Sequence, residues 1–382
     1  MEYNKLPHRE RFEVQGTYLN SAYTHPMSIA SAEAIARYVS SRMGNGQAGR
    51  YSMMDDRNDA GALFARLINC DTDELAWLPS TMVGENLVVA GLELAKKGGH
   101  VVTDAAHFEG SQYLYRQLQR HGVEVTVLPI VGNRISIEQF DSAIRADTQL
   151  VAISLVSALT GFEHDLKAVC DLAHARGAFV YADVIQAAGA VPLDVRESGV
   201  DFCACSTYKW LMGDFGVGFL YVRRDRLDRL VASQSGYRQL KHFGTHFLPL
   251  EPTGDQLFSF ERSLDAAGKF EVGTLGNAAV AALKVSLEYL LRTGVLNIQR
   301  HRAPMMARLQ SALPQAGYKP LTPLESGGPI VCFAVQDAMA LKPKLDAAGI
   351  TIQLYPHRFR ISPSVFNSME DIELLVDVLT ST

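Results

Sequence analysis

Short β-rich runs alternate with amphipathic helical stretches between residues 75 and 222, and a long helical connection then leads to a compact tail of mixed strands and helices. This pattern predicts an α/β protein, with a large domain built on a mostly parallel mixed sheet and a smaller C-terminal α+β domain. The length of 382 residues agrees, because at about 150 residues per domain it supplies one large and one small unit. With 47% hydrophobic and 20% charged residues the chain is of ordinary globular composition, which excludes collagenous and disordered classes.

The expected division is an N-terminal arm over 1–20, a large domain over 21–262, and connecting helices with the small domain over 263–382. Seven strands are expected in the large domain: Glu74 to Pro79, His100 to Asp104, Val123 to Leu128, Leu150 to Leu155, Ala178 to Ala182, Asp201 to Ser206 and Val217 to Val222. Gly84 to Lys97 and Leu166 to Ala175 carry apolar residues at helical spacing and should lie on that sheet. Ser233 to Arg262 reads as a loop. A helix follows over Leu275 to Thr293, then a second to Ala316. The tail reads as a strand (Ile330 to Val335), a helix (Ala338 to Ala348), two strands (Ile352 to Tyr355, Arg358 to Ser362) and a last helix (Met369 to Leu379).

Charge and composition narrow the function. The 36 Lys and Arg against 41 Asp and Glu leave a net charge of −5, without the basic excess that a phosphate backbone demands, so no nucleic-acid partner is expected. No apolar run approaches the ~20 residues of a membrane helix, so no membrane association is expected. The stretch MEYNKLPHRERFEVQG lacks the apolar core of a secretory signal, and a cytoplasmic address is expected. The five cysteines are sparse, odd in number and mostly set among apolar neighbours, which reads as reduced core thiols with no zinc pair.

Gly44, Gly46 and Gly49 formally match GxGxxG, the basis of a rival reading as a nicotinamide-dependent oxidoreductase. That motif works by delivering glycines from a strand to a helix N-terminus, whereas these follow a helical pattern, Ile29 to Met43. A helix cap followed by a loop is expected instead. A second rival is a noncatalytic protein that keeps the fold.

The sharpest signal is AFVYADVIQAAGAVPLDV followed by DFCACSTYKWLMGDFGVGFLYVRR. Asp183 follows one apolar strand at the carboxyl edge, where open α/β sheets bind ligands, and Lys209 follows the next. An acid and an amine on adjacent strand ends are what pyridoxal 5'-phosphate chemistry needs. The lysine forms a Schiff base, and the carboxylate keeps the pyridine nitrogen protonated so that the ring accepts electrons.

With these residues the segment resembles the class V aminotransferase group of fold-type I pyridoxal phosphate enzymes, which includes cysteine desulfurases, kynureninase and isopenicillin N epimerase. The resembling motifs are Asp-x-x-Gln (Asp183, Gln186), Ser-x-x-Lys (Ser206, Lys209) and the strand Gly216 to Val222. The resemblance implies that Gln186 bonds the ring phenolic oxygen and that Ser206, with Tyr208, holds the phosphate. Upstream, Ser80, Thr81 and Met82 open a helix, and amides at a helix N-terminus attract an anion, so the Thr81 hydroxyl and the Thr81 and Met82 amides are expected phosphate donors.

The stretch HVVTDAAHFEGSQYLYRQL resembles the family segment whose aromatic residue stacks on the cofactor. Phe108 falls at that position, with His107 as the alternative. FEVGT resembles a motif whose threonine, Thr274, reaches the phosphate of a neighbouring subunit; this implies a homodimer, and Thr274 is also a candidate helix cap. RFRISPSVFNSMEDI resembles the segment whose arginine binds the substrate carboxylate. Arg360 holds that place, with Arg358 the weaker candidate. Two departures matter. Asp346 to Arg358 lacks the nucleophilic cysteine that desulfurases carry, with Cys332 reading as a buried thiol, and Ala158 replaces an asparagine near the ring oxygen. Without the cysteine, the expected reaction on an amino acid substrate is β-elimination at a cysteine-derived C–S bond; aminotransfer and epimerisation are the alternatives. Arg238, His242, His25 and Tyr51 lie in expected loops, and each reads as a solvated loop residue that could also line the pocket.

Overall fold

The computed structural model describes residues 5–381. Its centre is a seven-stranded sheet: β1 (Leu75–Leu78), β2 (His100–Asp104), β3 (Glu124–Leu128), β4 (Thr148–Ser154), β5 (Phe179–Asp183), β6 (Phe202–Ser206) and β7 (Gly218–Val222), in the spatial order β1-β7-β6-β5-β4-β2-β3. Only β7 runs against the rest. The inner strands are buried on both faces, so they read in sequence as unbroken apolar runs.

Helices cover both faces. Helix α1 (Ile29–Gly44) is followed directly by α2 (Gly46–Ile68); α3 (Thr81–Gly91), α4 (Glu109–Arg120), α5 (Leu166–Ala175) and α6 (Asn277–Thr293) come later in the chain. Val101, Ala152, Tyr181 and Ala204 pack under α3 and α4, while their neighbours Val102, Val151, Val180 and Cys203 join the core on the other face with α5 and α6. Helix α3 lies very close to β6. A Cβ on Gly84 would stand 2.7 Å from the Ala204 Cβ, so this glycine is what lets the helix N-terminus come down onto the strand end.

Several expectations change. The helix expected over Gly84 to Lys97 is two pieces, because Glu93 adopts φ 58 and interrupts it before Leu94–Lys97. The Gly44 motif joins two helices, with Gly49 inside α2 rather than in a loop, so no strand delivers it to a phosphate and the nicotinamide reading loses its basis. Ser233 to Arg262 contains a hairpin, β8 (Leu240–Thr245) and β9 (Phe258–Arg262). Helix α6 begins at Asn277, not Leu275, and Gly276 rather than Thr274 is its cap residue.

Beyond α6, helix α7 (Val295–Ala312) leads to an antiparallel sheet of β10 (Lys319–Pro320), β11 (Val331–Ala334), β12 (Gln353–Tyr355) and β13 (Arg358–Ile361), in the order β10-β11-β13-β12, followed by α8 (Met369–Thr380). Phe333, Phe359 and Ile361 pack with Met305 and Leu309 of α7 and with Leu375 of α8. Period-two alternation turns Arg360 and its cross-strand partner Cys332 to the opposite face. Near the N-terminus, Thr17–Tyr18 pairs in parallel with Ile350–Thr351, and Asn20 bridges to Ser362, which ties this segment to the small sheet. No helix among the described residues is long and apolar enough to cross a membrane.

Candidate active site

Asp183 is the last residue of β5. Its Oδ1 accepts the Ile185 amide at 2.9 Å, and its other oxygen has no hydrogen-bond partner among the described residues. Burial pushes this carboxyl up to about 6, against the opposing pull of the Ile185 amide, His107 and Lys209. Lys209 sits on the tight turn leaving β6, which the Met212 amide closes onto the Lys209 carbonyl at 2.8 Å. Only 9% exposed, its amine is lowered to about 8 by burial, with Asp183 acting upward and Arg360 downward. The two strand-end groups therefore act on each other's charge, and the Lys209 amine makes no hydrogen bond to any described residue.

At the start of α3, Thr81 and Ser206 are tied together. The Thr81 amide donates to Ser206 Oγ at 2.8 Å, the Ser206 amide donates to Thr81 Oγ1 at 2.8 Å, and the two hydroxyls lie 3.0 Å apart. The Met82 amide takes no partner from the described residues, as befits an open helix N-terminus. Tyr208 stacks on Phe215 with centroids 4.3 Å apart, and Lys209 Nζ lies 5.8 Å from the Tyr208 ring centroid. Thr274 stands elsewhere. It is exposed, contacts the Tyr237 hydroxyl, and lines a separate cleft with Arg57 and Arg238.

His107 and Phe108 diverge. Strand β2 ends in an Asx turn, Asp104 Oδ1 accepting the Ala106 amide at 2.7 Å, which sends the His107 side chain inward to full burial. Phe108, half-buried, precedes α4, and a Cβ on Gly110 would meet both the Phe108 ring and Met82 Sδ, so this ring lies by the start of α3. Gln186 is engaged at both ends of its amide: Nε2 donates to the Ala22 carbonyl at 3.0 Å, and Oε1 accepts from Trp210 Nε1 at 2.8 Å. One N–H of Gln186 is left over.

Arg360 is 3% exposed, donates from Nη1 to the Ala158 carbonyl at 3.1 Å, and leaves Nε without a partner. No carboxylate among the described residues lies within ion-pair distance of it. Ala158 thus enters through its backbone. Arg358 rests its guanidinium 4.0 Å from the Tyr355 ring centroid. Of the loop residues, His25 is not solvated: it bonds the Pro26 carbonyl and Ser364 Oγ, and burial lowers it to about 4. His242 is exposed on β8, and the Tyr51 side chain lies outside the described residues. Sequence reasoning missed Glu85, 1% exposed; its one available signal is a lone acid within an apolar helix.

An unpartnered carboxylate oxygen, a buried free amine, an open helix N-terminus and a guanidinium lacking a counter-ion are all groups that a bound anion-bearing ring and a substrate carboxylate satisfy. Pyridoxal phosphate fits them. Fold and site together define a pyridoxal phosphate-dependent enzyme of the fold-type I class. The Aminotransferase class-V family matches residues 17–375, and the chain belongs to it.

A probable cysteine desulfurase of Methanothermobacter thermautotrophicus is 29% identical over 302 residues, 78% of this chain and 72% of that protein. The uncharacterized aminotransferase YcbU of Bacillus subtilis is 27% identical over 327 residues, 83% of this chain and 81% of that protein. The fold matches that of the cystine C–S lyase C-DES, solved with its product cysteine persulfide, at a TM-score of 0.84 and 21% identity, over 96% of this chain and 97% of that one.

Proposed function

We propose that this protein is a lyase that cleaves the C–S bond of a cysteine-derived amino acid by β-elimination, with no thiol relay of its own. The observation that carries this reading is the state of the five cysteines. All are unpaired, and burial raises the Cys70, Cys170, Cys203, Cys205 and Cys332 thiols; Cys332, beside Arg360, is pushed up to about 12. Neutral thiols are poor nucleophiles. The names of the desulfurase and C–S lyase relatives support the sulfur chemistry.

Pyridoxal phosphate supplies an electrophilic carbonyl and a conjugated ring that takes up the electron pair released at the substrate α-carbon. In this reading Arg360 holds the α-carboxylate through its free N–H groups, and Lys209 takes the α-proton on its amine. Overall, such a reaction would convert cysteine and water to pyruvate, ammonia and hydrogen sulfide, the C–S electron pair leaving with sulfur. Asp183 would keep the proton on the ring nitrogen, the remaining N–H of Gln186 would serve the ring oxygen, and Phe108 rather than His107 would cover the ring. Thr81, Met82, Ser206 and Tyr208 take the phosphate.

We further infer a homodimer in which Thr274 reaches the neighbouring site. Its exposed position in a cleft with Arg57 and Arg238, apart from Lys209, supports this. The unpaired cysteines fit a cytoplasmic setting. Incubation with a panel of amino acids tests the reaction: pyruvate, ammonia and a sulfur product in equal amounts are expected from cysteine or cystine. The substrate's own keto acid would assign an aminotransferase, and inverted stereochemistry an epimerase.

A further inference from the structure

Behind Asp183 lies a buried polar cluster that the roles above leave unused. Glu85, on the side of α3 turned to the sheet, accepts Ser111 Oγ at 2.5 Å and the Tyr115 hydroxyl at 2.7 Å, and His107 Nε2 lies 3.2 Å from it. The other ring nitrogen, His107 Nδ1, is 2.8 Å from Ser154 Oγ. Ser154 is the register partner of Asp183 across β4 and β5. Glu85, His107, Ser154 and Asp183 therefore run in sequence from helix to sheet edge, and all four are buried.

A carboxylate removed from water is costly unless a positive charge meets it. Ser111 and Tyr115 give Glu85 only neutral hydrogen bonds. The remaining titratable groups around His107 and Glu85 are Asp104 from β2, Tyr115 from α4, and Tyr181 and Asp183 from β5, none of which carries positive charge. His164 lies on the far side of Asp104, 3.2 Å from its carboxylate. Lys209 acts on Asp183 from β6. An imidazolium has two donors, and His107 has one acceptor at each nitrogen, so the charged form is fully satisfied. Burial works against that charge, but Glu85, Asp104 and Asp183 outweigh it and raise the His107 pKa.

We propose that His107 is a positioning residue for Asp183: its imidazolium, anchored between Glu85 and Ser154, supplies the positive charge that keeps the buried Asp183 carboxylate anionic. Asp183 is poised close enough to neutrality for a neighbouring charge to decide its state, and only the anion can hold a proton on the ring nitrogen. The inference rests on Asp183 being the ring partner, yet its test needs no turnover.

Two NMR measurements on the full-length protein, free of and loaded with pyridoxal phosphate, decide it. Histidine 15N shifts should show both His107 ring nitrogens protonated at neutral pH, and Glu85→Gln should release one of those protons. Carboxyl 13C shifts, with the Asp183 signal identified by its loss in Asp183→Asn, should show the Asp183 midpoint rising by about one pH unit or more in His107→Gln. A neutral His107 in the parent protein overturns the proposal even if His107→Gln does not fold, and so does an unmoved Asp183 midpoint in a folded His107→Gln. A protein that stays colourless with the cofactor but still shows both effects would overturn the cofactor role of Asp183 while supporting the charge coupling.

Discussion

Thr81 and Ser206 each donate a backbone amide to the other's hydroxyl, both at 2.8 Å, which fastens the N-terminus of α3 to the end of β6. The carrier of the candidate phosphate donors and the strand that leads to Lys209 therefore move as one unit. Ser206→Ala strips the acceptor from the buried Thr81 amide, and an unsatisfied buried donor costs about 1–3 kcal/mol. Thermal unfolding should show that loss, and titration with pyridoxal phosphate should show weaker binding; an unchanged affinity would remove Ser206 from the phosphate site.

Gly84→Ala tests how α3 is seated. The new methyl would stand 2.7 Å from the Ala204 Cβ and 3.0 Å from Leu78, with sheet on one side and helix on the other. Overpacking of this kind costs about 1–3 kcal/mol. The denaturant midpoint should fall, and cofactor affinity should fall with it, because the helix end is pushed from the strand.

Asp183 trades stability for chemistry. Its carboxyl titrates at about 6 in the fold against an ordinary 3.8, so the folded state binds the proton more tightly than the unfolded state. That contribution is complete below about pH 4 and is lost as pH rises through about 6. Asp183→Asn, which cannot ionise, should therefore be more stable than the parent above pH 6 by up to about 3 kcal/mol, two pH units at about 1.4 kcal/mol each. Equilibrium unfolding of the cofactor-free proteins at several pH values checks this, and the same variant should have lost turnover.

Arg360→Lys keeps a charge but not the planar fork. Loss of one or two charge-assisted hydrogen bonds, about 1.5–3 kcal/mol each, should raise KM for amino acids by about tenfold or more. Cofactor binding should hardly change. A variant with parental KM would free Arg360 from the carboxylate role.

The strands inward of Glu124–Leu128 were legible because they are largely buried on both faces and so appear as nearly unbroken apolar runs, whereas Glu124–Leu128, at the exposed edge, shows only valines alternating with polar residues. The hairpin over 240–262 was not, because its strands are exposed and carry polar residues such as Lys241, His242 and Glu261 between aromatics. Thr274 reads as a helix cap since threonine favours that place, but the cap is Gly276, two residues later, and the helix begins at Asn277. Asp183 and Lys209 could be paired from sequence because parallel neighbours present their ends on one edge. The opposite orientations of His107 and Phe108 could not be foreseen, being set by the Asx turn at Asp104, and neither could the burial of His25, which depends on Ser364 some 339 positions away.

Reduction with borohydride after loading with pyridoxal phosphate, followed by peptide mapping, examines the central assignment most directly. A yellow protein that loses its colour and carries one reduced cofactor on the peptide containing Lys209, with Lys209→Ala unable to do so, is the expected result. Cofactor recovered on another lysine, or a parent protein that never binds it, would contradict the assignment.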